Sequence, residues 1–244
     1  MAECRHGLEE ERCDICSPKA VPEKPKVIRA TSATPRRTAG ASTSRKSLNT
    51  ADLRVYHLTH LRNLPAIIEA GELRADNRPE VDLSSELTRE LRDSAEVAPG
   101  RAVSSYVPFF LAPNSTVWDE LRRGAAEPRW SAGARAAAST DFVFLVTTVR
   151  SLGDTVAVAD GDAAGTYTRF ATEADDVQRM LVRLFDDEEA KVGAEVLAAD
   201  TVDFGTVQLI GVANDPVRDQ VRELLDHSGF KPKVAVYPPW FQPT

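Results

Sequence analysis

The run DFVFLVTTV (141–149) constrains this chain more than any other feature. It is an almost unbroken series of β-branched and aromatic residues. A strand with one wet face would alternate apolar and polar side chains, so this run predicts a strand buried on both sides. Other strands are expected at VYHLTH (55–60), VSSYVPFFLAP (103–113), Val196 to Val202, VQLIGVA (207–213) and KVAVYPPW (233–240). Pro108 has no N–H to give a ladder, so it predicts an edge strand or a bulge. Helical spacing appears in LPAIIEAGEL (64–73), with Asn63 as N-cap, Pro65 in the first turn and Gly71 past the end. A charged surface helix is expected over 83–94 and another helix over 174–186. A third opens at Asn214-Asp215-Pro216 and runs to about His227, with Gly229 just beyond. Strands and helices mix without regular βαβ alternation, which argues an α+β fold.

These elements all fall in residues 51–244, which hold nearly all the large apolar side chains. Residues 17–50 are rich in Pro, Ser, Thr, Ala and basic side chains. They cannot bury enough surface to offset ordering entropy and read as a disordered linker. The net charge of −7 hides a strong asymmetry. Residues 19–46 carry +7, residues 1–16 carry −3 and the body carries −11. Nothing global therefore announces a nucleic-acid binder; local patches at Arg122, Arg123, Arg129, Arg135 and the basic linker are the candidates. No apolar run approaches the ~20 residues of a membrane span, and the polar, acidic N-terminal residues predict no secretory signal. The expectation is a soluble cytoplasmic protein with no membrane partner.

All three cysteines lie in residues 1–16. Cys4, His6, Cys13 and Cys16 supply three thiolates and an imidazole, a tetrahedral donor set for structural zinc. So short a segment would fold only through the metal. The alternative is coincidence in an acidic tail. A redox Cys-x-x-Cys pair fits less well, because no thioredoxin-like pattern surrounds it. In the body, His57 and His60 lie three residues apart, but no third ligand with suitable spacing follows. There is no Gly-rich phosphate loop, no H-E-x-x-H and no G-x-S-x-G. On residue patterns alone the function stays open.

Four stretches in order narrow it: YHLTHLRNLPAIIEAGEL (56–73), the polar helix containing Arg92, YVPFFLAPNS (106–115) and KVGAEVL (191–197), with KVAVYPPW closing. Together they resemble the DarT family of DNA ADP-ribosyltransferase toxins, over about residues 54–240. The resemblance implies a split, strongly bent β-sheet with flanking helices, and NAD as co-substrate in the cleft. It implies transfer of ADP-ribose to a thymine or guanine of single-stranded DNA, and an antitoxin partner of the macrodomain glycohydrolase type. It further implies Glu195 and Arg92 as catalytic residues, with Arg89 and Arg101 as alternatives to Arg92 on a charged segment. His57, Leu58, Thr59, Ala66, Arg74 and Arg92 would contact NAD. His60 reads as scaffold, and Tyr106, Phe109 and Phe110 mostly as core.

The family's R-S-P-M-L is replaced here by Asn114-Ser115-Thr116-Val117-Trp118. That loop is expected to touch DNA, with Trp118 offering a stacking face in place of the arginine. Rival functions are the same chemistry on RNA or protein, or a non-catalytic zinc-tethered nucleic-acid-binding protein.

Overall fold

The computed structural model describes residues 48–124 and 128–243. The Cys4, His6, Cys13 and Cys16 cluster and residues 17–47 of the expected linker lie outside the described residues, while Thr50, at the linker's expected end, already opens a 3-10 turn. Among the described residues, no group of three or more His, Cys, Asp or Glu side chains could hold a metal ion. No helix among them is long and apolar enough to cross a membrane.

The strands are β1 (Arg54–His60), β2 (Glu72–Arg74), β3 (Glu96–Ala98), β4 (Arg101–Ala102), β5 (Tyr106–Phe110), β6 (Phe142–Thr148), β7 (Val156–Ala159), β8 (Phe170–Ala171), β9 (Glu195–Ala199), β10 (Thr201–Asp203), β11 (Leu209–Val212) and β12 (Lys233–Val236). The helices are α1 (Leu64–Ala70), α2 (Glu86–Ser94), α3 (Thr116–Arg122), α4 (Ala132–Ala136), α5 (Ala174–Asp186), α6 (Glu188–Gly193) and α7 (Asp215–Asp226). Eight strands form one sheet in the order β12-β11-β6-β1-β5-β9-β7-β8. All its neighbours are antiparallel except β11 and β12, which α7 joins as a parallel crossover.

The 141–149 run becomes β6, an interior strand between β11 and β1, and it is buried on both faces as its sequence demands. Val143 and Leu145 enter one core with Leu64 and Ile67 of α1, Leu181 and Leu184 of α5, and Val221 and Leu225 of α7. Phe142, Phe144 and Val146 enter a second core on the other face, with Trp118, Leu121, Trp130 and Phe241. A smaller third core joins Tyr106, Ala157, Ala159 and Leu197 to Val97 and Val103.

The sheet is split in its middle. β1 pairs with β6 along all seven residues, yet its register with β5 is the single pair Tyr56↔Phe110. Pro108 therefore lies in an interior strand, not on an edge. Its carbonyl faces His57 across the split. In an extended strand the N and C=O of one residue point to the same side, so the missing N–H also faces the gap and removes no ladder bond.

Two other local expectations are corrected. Val196 to Val202 is not one strand: Asp200, at φ 58°, turns the chain between β9 and β10, which pair in different sheets. Asp tolerates this left-handed conformation better than most residues. Asn63 does not cap α1. It already has helical backbone angles, and His60 caps the preceding 3-10 turn by accepting from the Arg62 N–H at 3.1 Å. Gly71 does end α1, at φ 71°. Asn214 caps α7 by accepting from Val217 N at 3.0 Å.

Candidate active site

A cleft of about 830 Å³ opens beside the split, lined by His57, Leu58, Thr59, Arg74, Arg92 and Glu195 among others. Its floor carries a charge. Glu195 is the first residue of β9 and only 3% exposed. Burying a carboxylate is costly unless its oxygens are satisfied. Oε2 accepts from both Arg92 Nη1 at 3.2 Å and Nη2 at 3.3 Å, and Oε1 accepts from the Ala163 N–H at 2.9 Å. Both oxygens are thus held, and one orientation of the carboxylate is fixed.

Arg92 sits in the last turn of α2, a helix with no buried residue. What anchors α2 is polar. Ser85 caps it by accepting from Thr88 N, and the Thr88 hydroxyl donates to the Arg129 carbonyl at 2.9 Å. The Arg92–Glu195 ion pair adds a third tie. The alternative arginines are engaged elsewhere. Arg89 pairs with Asp82, and Arg101 donates to Asp200 at 2.6 Å.

His57 is half-buried at the split. Burial pushes its imidazole below the ordinary value, and the hydrogen bond to the Pro108 carbonyl opposes this more weakly. A carbonyl only accepts, so Nδ1 carries the proton at 2.8 Å from it. In the neutral ring Nε2 is then left as an acceptor. Thr59 is buried and its hydroxyl accepts from the Asn63 amide at 3.1 Å. The same amide group donates to Val81 O at 2.8 Å and accepts from Val81 N at 3.0 Å. Asn63 thereby staples the segment after β2 to the start of α1, bracing one wall. Arg74 reaches the cleft already bonded to Asp76 and Glu72.

The remaining expected positions separate. Ala66 lies on the exposed face of α1 and does not line the cleft. Val117 lines it, whereas Asn114 and Thr116 are exposed outside it. Ser115 is buried and caps α3 by accepting from Trp118 N. Trp118 is 0% exposed, and its Nε1 donates to the Trp240 carbonyl at 2.6 Å. Its ring is core and has no face for a base, so the expected stacking role fails. Arg122 is likewise buried, bonded to Asp119 and the Trp240 carbonyl, and is withdrawn as a phosphate contact. Sequence reasoning missed the 160–165 turn, whose Ala163 N–H holds Glu195. Its Gly161-Asp162 and Gly165 were the available signal.

Solved structures share this arrangement of strands and helices. Thermus sp. 2.9 DarT in complex with ADP-ribosylated ssDNA superposes with a TM-score of 0.65 at 21% identity, covering 78% of this chain and 96% of that one. The same protein in complex with NAD+ gives 0.61 at 22% identity, covering 78% and 97%. The fold class is that of the DNA-modifying ADP-ribosyltransferases. A DNA ADP-ribosyl transferase of Mycobacterium tuberculosis is 30% identical over 209 residues, covering 75% of this chain and 86% of its own length. The family model described as ssDNA thymidine ADP-ribosyltransferase, DarT, matches residues 56–242. The chain belongs to the DarT family.

Proposed function

We propose that the chain transfers ADP-ribose from NAD to a base of single-stranded DNA and releases nicotinamide. Thymine is the first candidate acceptor, from the family's description, and guanine the second. The observation that carries the reading is Glu195, buried beside the split with both oxygens fixed by Arg92 and the Ala163 N–H. Breaking the nicotinamide–ribose bond develops positive charge at the anomeric carbon. A preoriented carboxylate stabilises that charge with no reorganisation cost. Arg92 holds Glu195 in place, and its guanidinium stays cationic beside the base nitrogen as that nitrogen gives up its proton to solvent. It is not a proton acceptor. His57, Leu58, Thr59 and Arg74 line the space available to NAD. A single-stranded acceptor suits this site because its base needs little unstacking.

Purified protein with labelled NAD and a panel of single-stranded DNA, RNA and protein acceptors tests the reading. Label is expected on DNA, and Glu195→Ala is expected to lower the rate by at least ~10²-fold. Label confined to RNA or protein rejects the DNA acceptor.

The wider role we infer is the toxin of a toxin–antitoxin pair, countered by an ADP-ribosyl glycohydrolase of macrodomain type. Thermosipho africanus DarTG in complex with ADP-ribose has this fold, at a TM-score of 0.57 and 17% identity over 77% of this chain and 50% of that one, and supports the pairing. Co-expression with such a glycohydrolase should restore growth of cells making the active chain. For the N-terminal Cys4, His6, Cys13 and Cys16 set, structural zinc is the proposal on spacing alone. Metal analysis should find about one zinc fewer in Cys13→Ser. Equal zinc in both proteins counts against the site.

A further inference from the structure

Four large apolar side chains are exposed among the described residues: Leu48, Leu87, Leu91 and Tyr167. Three of these four lie on the two segments that hold Glu195. Leu87 and Leu91, at 50% and 46% exposed, are on α2 with Arg92. Tyr167, at 95%, follows Ala163 in the 160–169 loop. Leu91 lines the cleft, while Leu87 and Tyr167 lie outside it on the same two segments; exposed apolar groups on neighbouring segments mark a contact surface more often than scattered ones do.

Tyr167 is not a loose end. Its loop is tied at the base, where Asp160 N donates to Arg169 O at 3.1 Å and Arg169 N to Asp160 Oδ1 at 2.8 Å. Inside it, the Asp162 carbonyl accepts from Gly165 N at 2.8 Å and from the Thr168 hydroxyl at 2.6 Å. A Cβ on Gly165 would lie 2.8 Å from that hydroxyl and 2.9 Å from that carbonyl, so the turn closes this tightly only over glycine. The result is a built loop that presents an aromatic ring to solvent. Thr166 lines the cleft, and Tyr167 does not.

We propose that Tyr167 stacks on the base next to the acceptor in the bound strand. The inference rests on the single-stranded DNA reading above. The acceptor base must enter the cleft to reach the reacting carbon near Glu195, so its neighbours along the strand are left outside it, and Tyr167 is the exposed residue next to the cleft-lining Thr166. The body is acidic, at −11, and of its four candidate arginines Arg122, Arg123 and Arg129 are bonded to its own carboxylates, which leaves the exposed Arg135. Phosphate contacts are therefore scarce, and a ring that binds any base by its π-face supplies affinity without charge. Tyr167 is a positioning residue here: it touches the strand but not the reacting atoms.

The test is the KM for a single-stranded oligonucleotide at saturating NAD. Tyr167→Ala is expected to raise it roughly 5- to 150-fold, the range that loss of one base–aromatic stack implies. NAD affinity is expected to hold, and Tyr167→Phe to recover the wild-type KM. Removing the base beside the acceptor, as an abasic site, should raise KM for wild type but add little in Tyr167→Ala, a coupling that a merely structural tyrosine would not produce. An unchanged KM in Tyr167→Ala, with wild type active on DNA, overturns this proposal alone. A wild-type enzyme that labels no single-stranded DNA overturns the functional reading and this proposal with it.

Discussion

At the scale of single residues, the site is an exercise in holding charged and polar groups where water cannot. Glu195 was legible as a carboxylate at an apolar strand entry, but only the fold shows how its charge is satisfied. His57 gives the residue-scale prediction. Burial depresses its pKa below the ordinary histidine value of about 6.5, and His60 is shifted the same way by the same cause. As pH falls below about 6.5, the unfolded chain binds protons that the folded rings resist. The unfolded state then holds more protons, so stability rises with pH across this window and is lost on acidification. Denaturant unfolding from pH 7.5 to 5 should show that loss, and His57→Gln should flatten part of it. Parallel curves for wild type and variant would refute the assignment.

At the scale of elements, local pattern and long-range packing divide the work. The helices at 174–186 and from Asp215 onward stand where periodicity and caps put them. Pro108 shows the limit of local rules: a proline predicts an edge only if the neighbouring strand pairs fully, and here the sheet opens beside it. The C-terminal turn supplies a second case. Trp240 stacks on Tyr237 with ring centroids 4.4 Å apart, and its ring lies directly over Gly211 of β11. A Cβ there would meet Trp240 Cζ3 at 2.4 Å and Cε3 at 2.8 Å. The ring is wedged between β11 and its aromatic neighbours and has little room to yield. Gly211→Ala is therefore expected to cost about 1–3 kcal/mol, or roughly 2–12 °C in Tm by calorimetry. A variant melting with wild type would mean that the turn shifts freely.

At the scale of the whole molecule, the distribution of charge matters more than its total. The body's cleft arginines are spent on internal partners: Arg74 on Asp76 and Glu72, Arg89 on Asp82, Arg92 on Glu195 and Arg129 on Asp162. Apart from the buried Arg92–Glu195 pair, ion pairs of this kind add little stability, but they do neutralise cations that phosphates could otherwise use. Residues 19–46 carry +7 with few internal carboxylates. A chain beginning at residue 47 should accordingly bind single-stranded DNA with a shallower salt dependence than the full chain, by several ions in the log–log slope at about 0.7 per phosphate. Identical slopes would place the phosphate contacts in the body.

The amino-acid sequence by itself determined the α+β class, the buried strand at 141–149, the presence of α1, α2, α5 and α7 and the ordered motifs that pointed to the family. These rest on local periodicity, capping and residue order, which a chain carries wherever it goes. Tertiary structure decided which arginine meets Glu195, because Arg92 lies 103 residues away and two others, Arg89 and Arg101, share its neighbourhood in sequence. It also decided that Trp118 faces the core, where Phe142, Phe144 and Phe241 surround its ring. It further set Ala163 against the carboxylate and left Tyr167 in solvent. A side chain's environment is set by what other segments bring to it, and no pattern within its own segment encodes that.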